Sequence, residues 1–143
     1  MDKSLKQITL YKCKQNKIAG SSFNEIKSSA YGIFKSIKSK TKRTPYIRSK
    51  YFKKDKIFIN IFWKHLFDKK EKDRVRRLKF YNCGIELIEK SVNNPETREN
   101  FQKKDELLHR FYGRVRNNEK FVVQIKENKR TKRKDLISIY PIK

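Results

Sequence analysis

The segment DELLHRFYGRVRNNEKFVVQIKENKRTKRKDLISIYP, residues 105–141, decides how the rest of the chain is read. From residue 107 apolar positions recur about every second residue, the period of a strand whose alternate side chains face opposite sides of a sheet. Three strands are expected: 108–116, 121–126 and 136–140. NNEK is short enough for a hairpin and ENKRTKRKD for a longer basic turn, so the segment predicts an antiparallel meander.

Alternation then sorts the side chains, subject to a one-residue slip that would invert every assignment. In the second strand Phe121, Val123 and Ile125 share a face, opposite Val122, Gln124 and Lys126. In the third, Ile137 and Ile139 oppose Leu136, Ser138 and Tyr140. In the first, Arg110, Tyr112, Arg114 and Arg116 oppose His109, Phe111, Gly113 and Val115. One face can bury against helices while the other gathers Arg110, Tyr112, Gln124, Lys126, Ser138 and Tyr140. His109 breaks the pattern by falling on the apolar side, unless a bulge re-aims it.

Upstream, Ser22 and Glu25 stand at capping-box spacing before the stripe Phe23, Ile26, Ala30, Ile33, Phe34 and Ile37, which predicts a helix over about 23–38. IFINIFWKHLF, 57–67, is expected to be the most buried helix, and 72–92 a second amphipathic one with Val75, Leu78, Ile85 and Ile88 inward and Arg74, Arg76, Arg77 and Lys79 mostly outward. The stretch around Pro95 reads as a turn, and residues 1–20 as a polar end with a short strand near Ile8, Leu10 and Tyr11 or a frayed terminus. Residues 39–56 form a basic connector. The prediction is a single α+β domain over 1–143, with N-terminal helices on one face of a C-terminal antiparallel sheet.

The 143 residues carry 39 Lys and Arg against 15 Asp and Glu, a formal charge of +24. Such an excess opposes compaction and calls for a polyanionic partner, with nucleic acid first because cations on its phosphates release condensed counterions. Ten Phe, seven Tyr and one Trp supply a core despite the low mean hydropathy. The only cysteines, Cys13 and Cys83, and the only histidines, His65 and His109, have no zinc-ligand spacing. No apolar run approaches the ~20 residues of a membrane span, nor that of a signal peptide, so the expectation is a cytoplasmic protein without metal or other cofactor.

Phosphate contacts are expected from Lys42, Arg43, Arg48 and Lys50, with the interleaved Tyr46, Tyr51 and Phe52 stacking on bases, and from Arg114, Lys129, Arg130, Lys132 and Arg133. The plainer reading of 39–56 is a solvated connector whose aromatics dock on the core. On the sheet, the polar set suits metal-free cleavage of RNA. The ribose 2′-OH must lose a proton as it attacks phosphorus, the 5′-oxygen must gain one, and Arg and Lys stabilise the extra negative charge.

HRFYGRV at 109–115, FVVQIK at 121–126 and LISIYP at 136–141, following TKRTPYIRSKYF and FWKHLF, resemble the nuclease superfamily of barnase, EndoU, colicin-type RNases and RelE, especially its phage-associated and mobile-element members. That resemblance implies an α+β fold with RNA on the sheet face opposite the helices, metal-independent endoribonuclease activity of a toxin, and an acidic antitoxin or immunity protein. It implies His109 as acid or base, Arg110 as phosphate clamp, Lys126 as charge stabiliser, and Ser138 with Tyr140 lining the phosphate site. The sheet offers no second histidine to complete a pair. Two alternatives stay open: a basic nucleic-acid-binding protein without catalysis, and a Mg²⁺-dependent nuclease of the PD-(D/E)XK type built on Asp105 or Glu106 with Gln124-Ile125-Lys126. The latter pattern expects a helix after the lysine strand, where this chain has a basic loop and another strand.

Overall fold

The computed structural model describes residues 9–142 and is an α+β fold, with four helices against a curled, mixed sheet. In chain order the elements are β1 Tyr11–Lys12, α1 Phe23–Ser39, β2 Tyr46–Ser49, β3 Asp55–Phe58, α2 Ile61–Phe67, α3 Glu71–Leu78, α4 Tyr81–Lys90, β4 Glu96–Glu99, β5 Glu106–Arg114, β6 Lys120–Asn128 and β7 Lys134–Ile142. The strands run in the order β1-β5-β6-β7-β3-β2, with β4 also paired to β5. The meander β5–β6–β7 is antiparallel as expected, but β1 joins β5 and β3 joins β7 in parallel. Among the described residues, no helix is long and apolar enough to cross a membrane.

Local chemistry explains where the elements begin and end. Ser22 caps α1 by accepting from the Glu25 amide at 3.2 Å, and Ile26, Ala30 and Phe34 form its buried stripe. The stretch 57–67 is not one helix. Ile57 and Ile59, both fully buried, alternate as a strand does, and the helix begins only at Ile61. A short apolar run satisfies both periods, and here pairing with β2 and β7 took its first half. The segment 72–92 likewise divides into α3 and α4, with the break at Lys79–Phe80. Leu78, Phe80 and Tyr81 are all buried, which the face of one straight helix does not allow.

The stretch after Pro95 is a strand, β4, rather than only a turn, and the basic connector contains β2 and the start of β3. The N-terminal segment is held to α4: Glu86 accepts from the Tyr11 hydroxyl at 2.7 Å, the Lys14 amide at 2.9 Å and the Gln15 amide group at 2.9 Å. Residues 1–8, including Ile8, lie outside the described part. Helix α4 crosses β7 at Gly84, where an added Cβ would collide with Ile139. That contact sets the core on one side of the meander, from Phe111, Val123, Ile125, Leu136 and Ile139 to α4.

Candidate functional site

Laterally paired residues in a sheet project to the same side, so the register assigns every strand residue a face. Ile47, Ile57, Lys134, Glu127 and Leu107 form one row, on the side of the core. The next row, Tyr46, Phe58, Asp135, Lys126 and Leu108, lies on the other side. Following that second side along the strands adds Arg48 and Lys56 at one edge and Arg110, Tyr112, Gln124, Ser138 and Tyr140 toward the other. The last five are half-buried, in contrast with the buried apolar residues beside them in sequence.

A bulge makes the third strand fit. Gln124 pairs with Ser138 and Ile125 with Leu136, leaving Ile137 as the extra residue. Leu136 therefore turns into the core, against simple alternation, while Ile139 stays inside and Ser138 and Tyr140 stay outside as expected.

Two clusters form on this open side. At the β2–β3 edge, Lys40, Lys42, Arg43, Lys56 and Arg133 surround Tyr46 and Phe58 in a cavity of about 730 Å³. The Arg133 guanidinium lies 4.2 Å from the Phe58 ring centre, and the Lys56 ammonium 4.7 Å from that of Tyr46. A neighbouring cavity of about 660 Å³ adds Arg48, Lys50 and Lys54. Lys42, Arg43 and Arg133 thus line one cavity and Arg48 and Lys50 the other, which reaches Ile47 and Glu89 on the core side. Lys40, Thr41 and Tyr46 are common to both. Tyr46 belongs to the aromatics expected to stack; Lys56 and Phe58 were not singled out, although strand alternation over 55–58 puts both on one face.

The second cluster centres on β7. Arg77, from α3, donates to the Ser138 hydroxyl at 2.9 Å, and its guanidinium lies 5.3 Å from the Tyr140 ring centre. Arg77 Nε is buried without a partner. Arg110 donates to Gln124 over a long 3.4 Å, and Lys126 stands 3.9 Å from Glu106. Tyr112 donates to Glu96 at 2.9 Å, and burial together with that carboxylate raises its pKa. Arg77 was read from the sequence only as an outward residue of a helix. Its role here follows from tertiary packing alone.

His109 does not join them. It is 6% exposed on the core side, with Nδ1 2.8 Å from Thr97 Oγ1 and Nε2 2.8 Å from Glu127 Oε1. Lys134 stands 3.8 Å from the second Glu127 oxygen and 2.9 Å from Asp55. The bulge lies in the β6–β7 pairing and does not re-aim the imidazole. The five residues expected to act together are therefore divided by the sheet: His109 on one side, Arg110, Lys126, Ser138 and Tyr140 on the other. Tyr51 is also displaced, its ring packed edge-on at 5.4 Å from Phe111 in the core, so the docking alternative describes that aromatic.

The remaining candidates are dispersed. Arg114 is at the far end of β5, Lys129 is paired with Glu99 at 2.7 Å, and Arg130 and Lys132 are exposed in the β6–β7 loop. His65 is exposed on α2. Asp105 is exposed in a turn, and among the described residues no three His, Cys, Asp or Glu side chains converge as metal ligands. Compared with protein-family models, curated proteins and solved structures, the chain matches none, which leaves the functional argument to this geometry.

Proposed function

We propose that this chain binds RNA, laying a single strand across the open side of its sheet. The observation that carries the reading is the cavity of about 730 Å³ in which five cations enclose two aromatic rings. Phosphates satisfy the cations and release counterions. Once Arg133 and Lys56 turn from the rings to phosphates, Tyr46 and Phe58 offer faces on which unpaired bases stack, an interaction paired bases in a duplex cannot make without opening. The charge of +24 supplies the long-range attraction.

Metal-independent cleavage is the second reading, favoured by the Arg77–Ser138–Tyr140 cluster. In that reaction the 2′-oxygen attacks phosphorus, the bond to the 5′-oxygen breaks, and a 2′,3′-cyclic phosphate results. Arg77, with Arg110 and Lys126, would stabilise the charge on the pentacoordinate phosphate, and the Ser138 or Tyr140 hydroxyl would relay a proton. His109, enclosed on the opposite side, has no part in this version. A toxin of this kind would need an acidic antitoxin or immunity protein, and the same basic side would steer that partner. The Mg²⁺-dependent alternative gains nothing from the exposed Asp105 or from Glu106, which faces Lys126 and Lys103.

The test is purified protein with short RNA and duplex DNA, in EDTA and in Mg²⁺, beside Arg77→Ala and Arg133→Ala. Salt-sensitive RNA binding weakened by Arg133→Ala, without cleavage, is the expected result. Cyclic-phosphate ends formed in EDTA and lost in Arg77→Ala would establish the second reading. Cleavage only in Mg²⁺, or no preference for RNA over duplex, would overturn both.

A further inference from the structure

The row Glu99, Leu107, Glu127, Lys134 and Ile57 brings three loops to one end of the sheet: 50–54 between β2 and β3, 100–105 between β4 and β5, and 129–133 between β6 and β7. They carry three, two and four Lys or Arg respectively. At the tip of the middle loop Phe101 is 98% exposed, beside Lys103 and Lys104. The loop holds its shape through the Asn100 amide bonded to Glu106 O at 3.1 Å and the Lys103 amide bonded to Asn100 O at 3.0 Å. An ordered turn thus presents a bare aromatic ring amid cations.

A second observation at the same end is independent of charge. Lys53, Lys54 and Lys132 have φ of 55°, 72° and 67°, in the left-handed region that favours glycine or asparagine. At the opposite end, the β5–β6 turn meets the same requirement with Asn118, φ 76°. The chain therefore accepts backbone strain at this end to keep lysines where stability would choose another residue, a pattern that accompanies functional sites.

We propose that this end of the sheet is a second RNA-contact site, in which Phe101 stacks on an unpaired base and Lys53, Lys54, Lys104 and Lys132 contact the flanking phosphates. It rests on the RNA-binding reading, and Arg133, which belongs to both the loop and the cavity, makes the two contacts continuous. The nine Lys and Arg of the three loops against one acid, Asp105, select an anionic partner, and an exposed planar ring on a turn with Lys103 and Lys104 suits a base with phosphates on either side.

The experiment measures binding of a short fluorescein-labelled single-stranded RNA across a salt series. Phe101→Ala is expected to weaken binding about tenfold with an unchanged salt slope. The triple variant Lys53→Asn, Lys54→Gly, Lys132→Asn is expected to lower the slope by about two and to raise the melting temperature by several degrees. Phe101→Trp should show indole quenching on adding RNA. If Phe101→Ala binds as tightly as the unaltered chain while Arg133→Ala does not, this inference fails and the open-side reading stands. If the unaltered chain binds no RNA, both fail. Indole emission that shifts on phosphatidylserine vesicles, but not on phosphatidylcholine vesicles or RNA, would overturn the proposal in favour of an anionic membrane surface.

Discussion

His109 and Arg110 are neighbours in the chain, yet they belong to two different kinds of environment. On the core side, both imidazole nitrogens are engaged at 2.8 Å, and the carboxylate of Glu127 is shared with Lys134. On the open side, Arg110 reaches Gln124 at only 3.4 Å, Lys126 stands 3.9 Å from Glu106, and Arg77 retains an unpartnered Nε. Around His109 the first side has used its hydrogen-bonding capacity in holding β4, β5 and β6 together. The second has capacity left for a ligand. Residue type alone points the other way, because histidine carries more catalytic promise than arginine, so satisfaction of the polar atoms is the better guide.

The strongest way to break this contrast is His109→Ala. It leaves Thr97 without its imidazole partner and Glu127 with only Lys134 at 3.8 Å in a closed environment, and should cost about 3 kcal/mol of stability in denaturant unfolding. RNA affinity, measured at a temperature where the variant is folded, should be unchanged. A folded His109→Ala that loses RNA binding or cleavage would mean that the two sides act as one site.

Glu86 offers the next test of the same contrast. Burial pushes its pKa up, but the bonds from Lys14, Gln15 and Tyr11, with the nearby Lys90 charge, outweigh this and leave it below the usual 4.5. A depressed folded pKa means that the stabilisation is complete above the ordinary carboxylate range and is lost as pH falls through the lowered value. Glu86→Gln should cost about 2 kcal/mol at neutral pH and lessen the loss of stability between pH 5 and 3, because the group that titrates is gone. Melting curves over that range would show it, with RNA affinity at pH 7 unaltered.

On the open side the expectation reverses. Replacing both Arg133 and Lys56 by Ala removes two phosphate contacts and two cation–aromatic contacts. Affinity for single-stranded RNA should fall about tenfold, some 1.4 kcal/mol, and the slope against salt by about 1.4. Lys56 is exposed, and its loss should hardly move folded stability. The loss of Arg133 leaves the buried Asp135 carboxylate without its partner at 3.2 Å and should cost about 2 kcal/mol, so affinity is compared where the variant is folded.

The meander, its two faces and helix α1 were legible because long segments with a clean period leave little choice. So was the grouping of Arg110, Gln124, Lys126, Ser138 and Tyr140. The parallel additions of β1 and β3 were not, because pairing partners far apart in sequence leave no local mark in strands of two and four residues. Ile57–Ile59 read equally well as helix or strand. Leu136 was misassigned because a single extra residue in β7 inverts the pattern upstream of it. Arg77 and Phe58 joined the candidate site through helix packing and lateral register, neither of which is written in local spacing.

Ser138→Ala carries the smallest effect and the finest distinction. Its hydroxyl accepts from Arg77 at 2.9 Å on a half-exposed surface, so its loss should cost about 0.5–1 kcal/mol of stability. In a pure binding surface the freed guanidinium keeps its charge and can turn to a phosphate, and affinity should stay within a factor of two or so. In a cleaving site the same change removes both a hydroxyl able to relay a proton and the bond that aims Arg77. The rate of cyclic-phosphate formation should then fall by about a hundredfold or more while RNA affinity is kept. Measuring rate and affinity on the same preparation therefore separates a surface that only holds RNA from one that also reacts with it, and Ser138 sits where the two differ most.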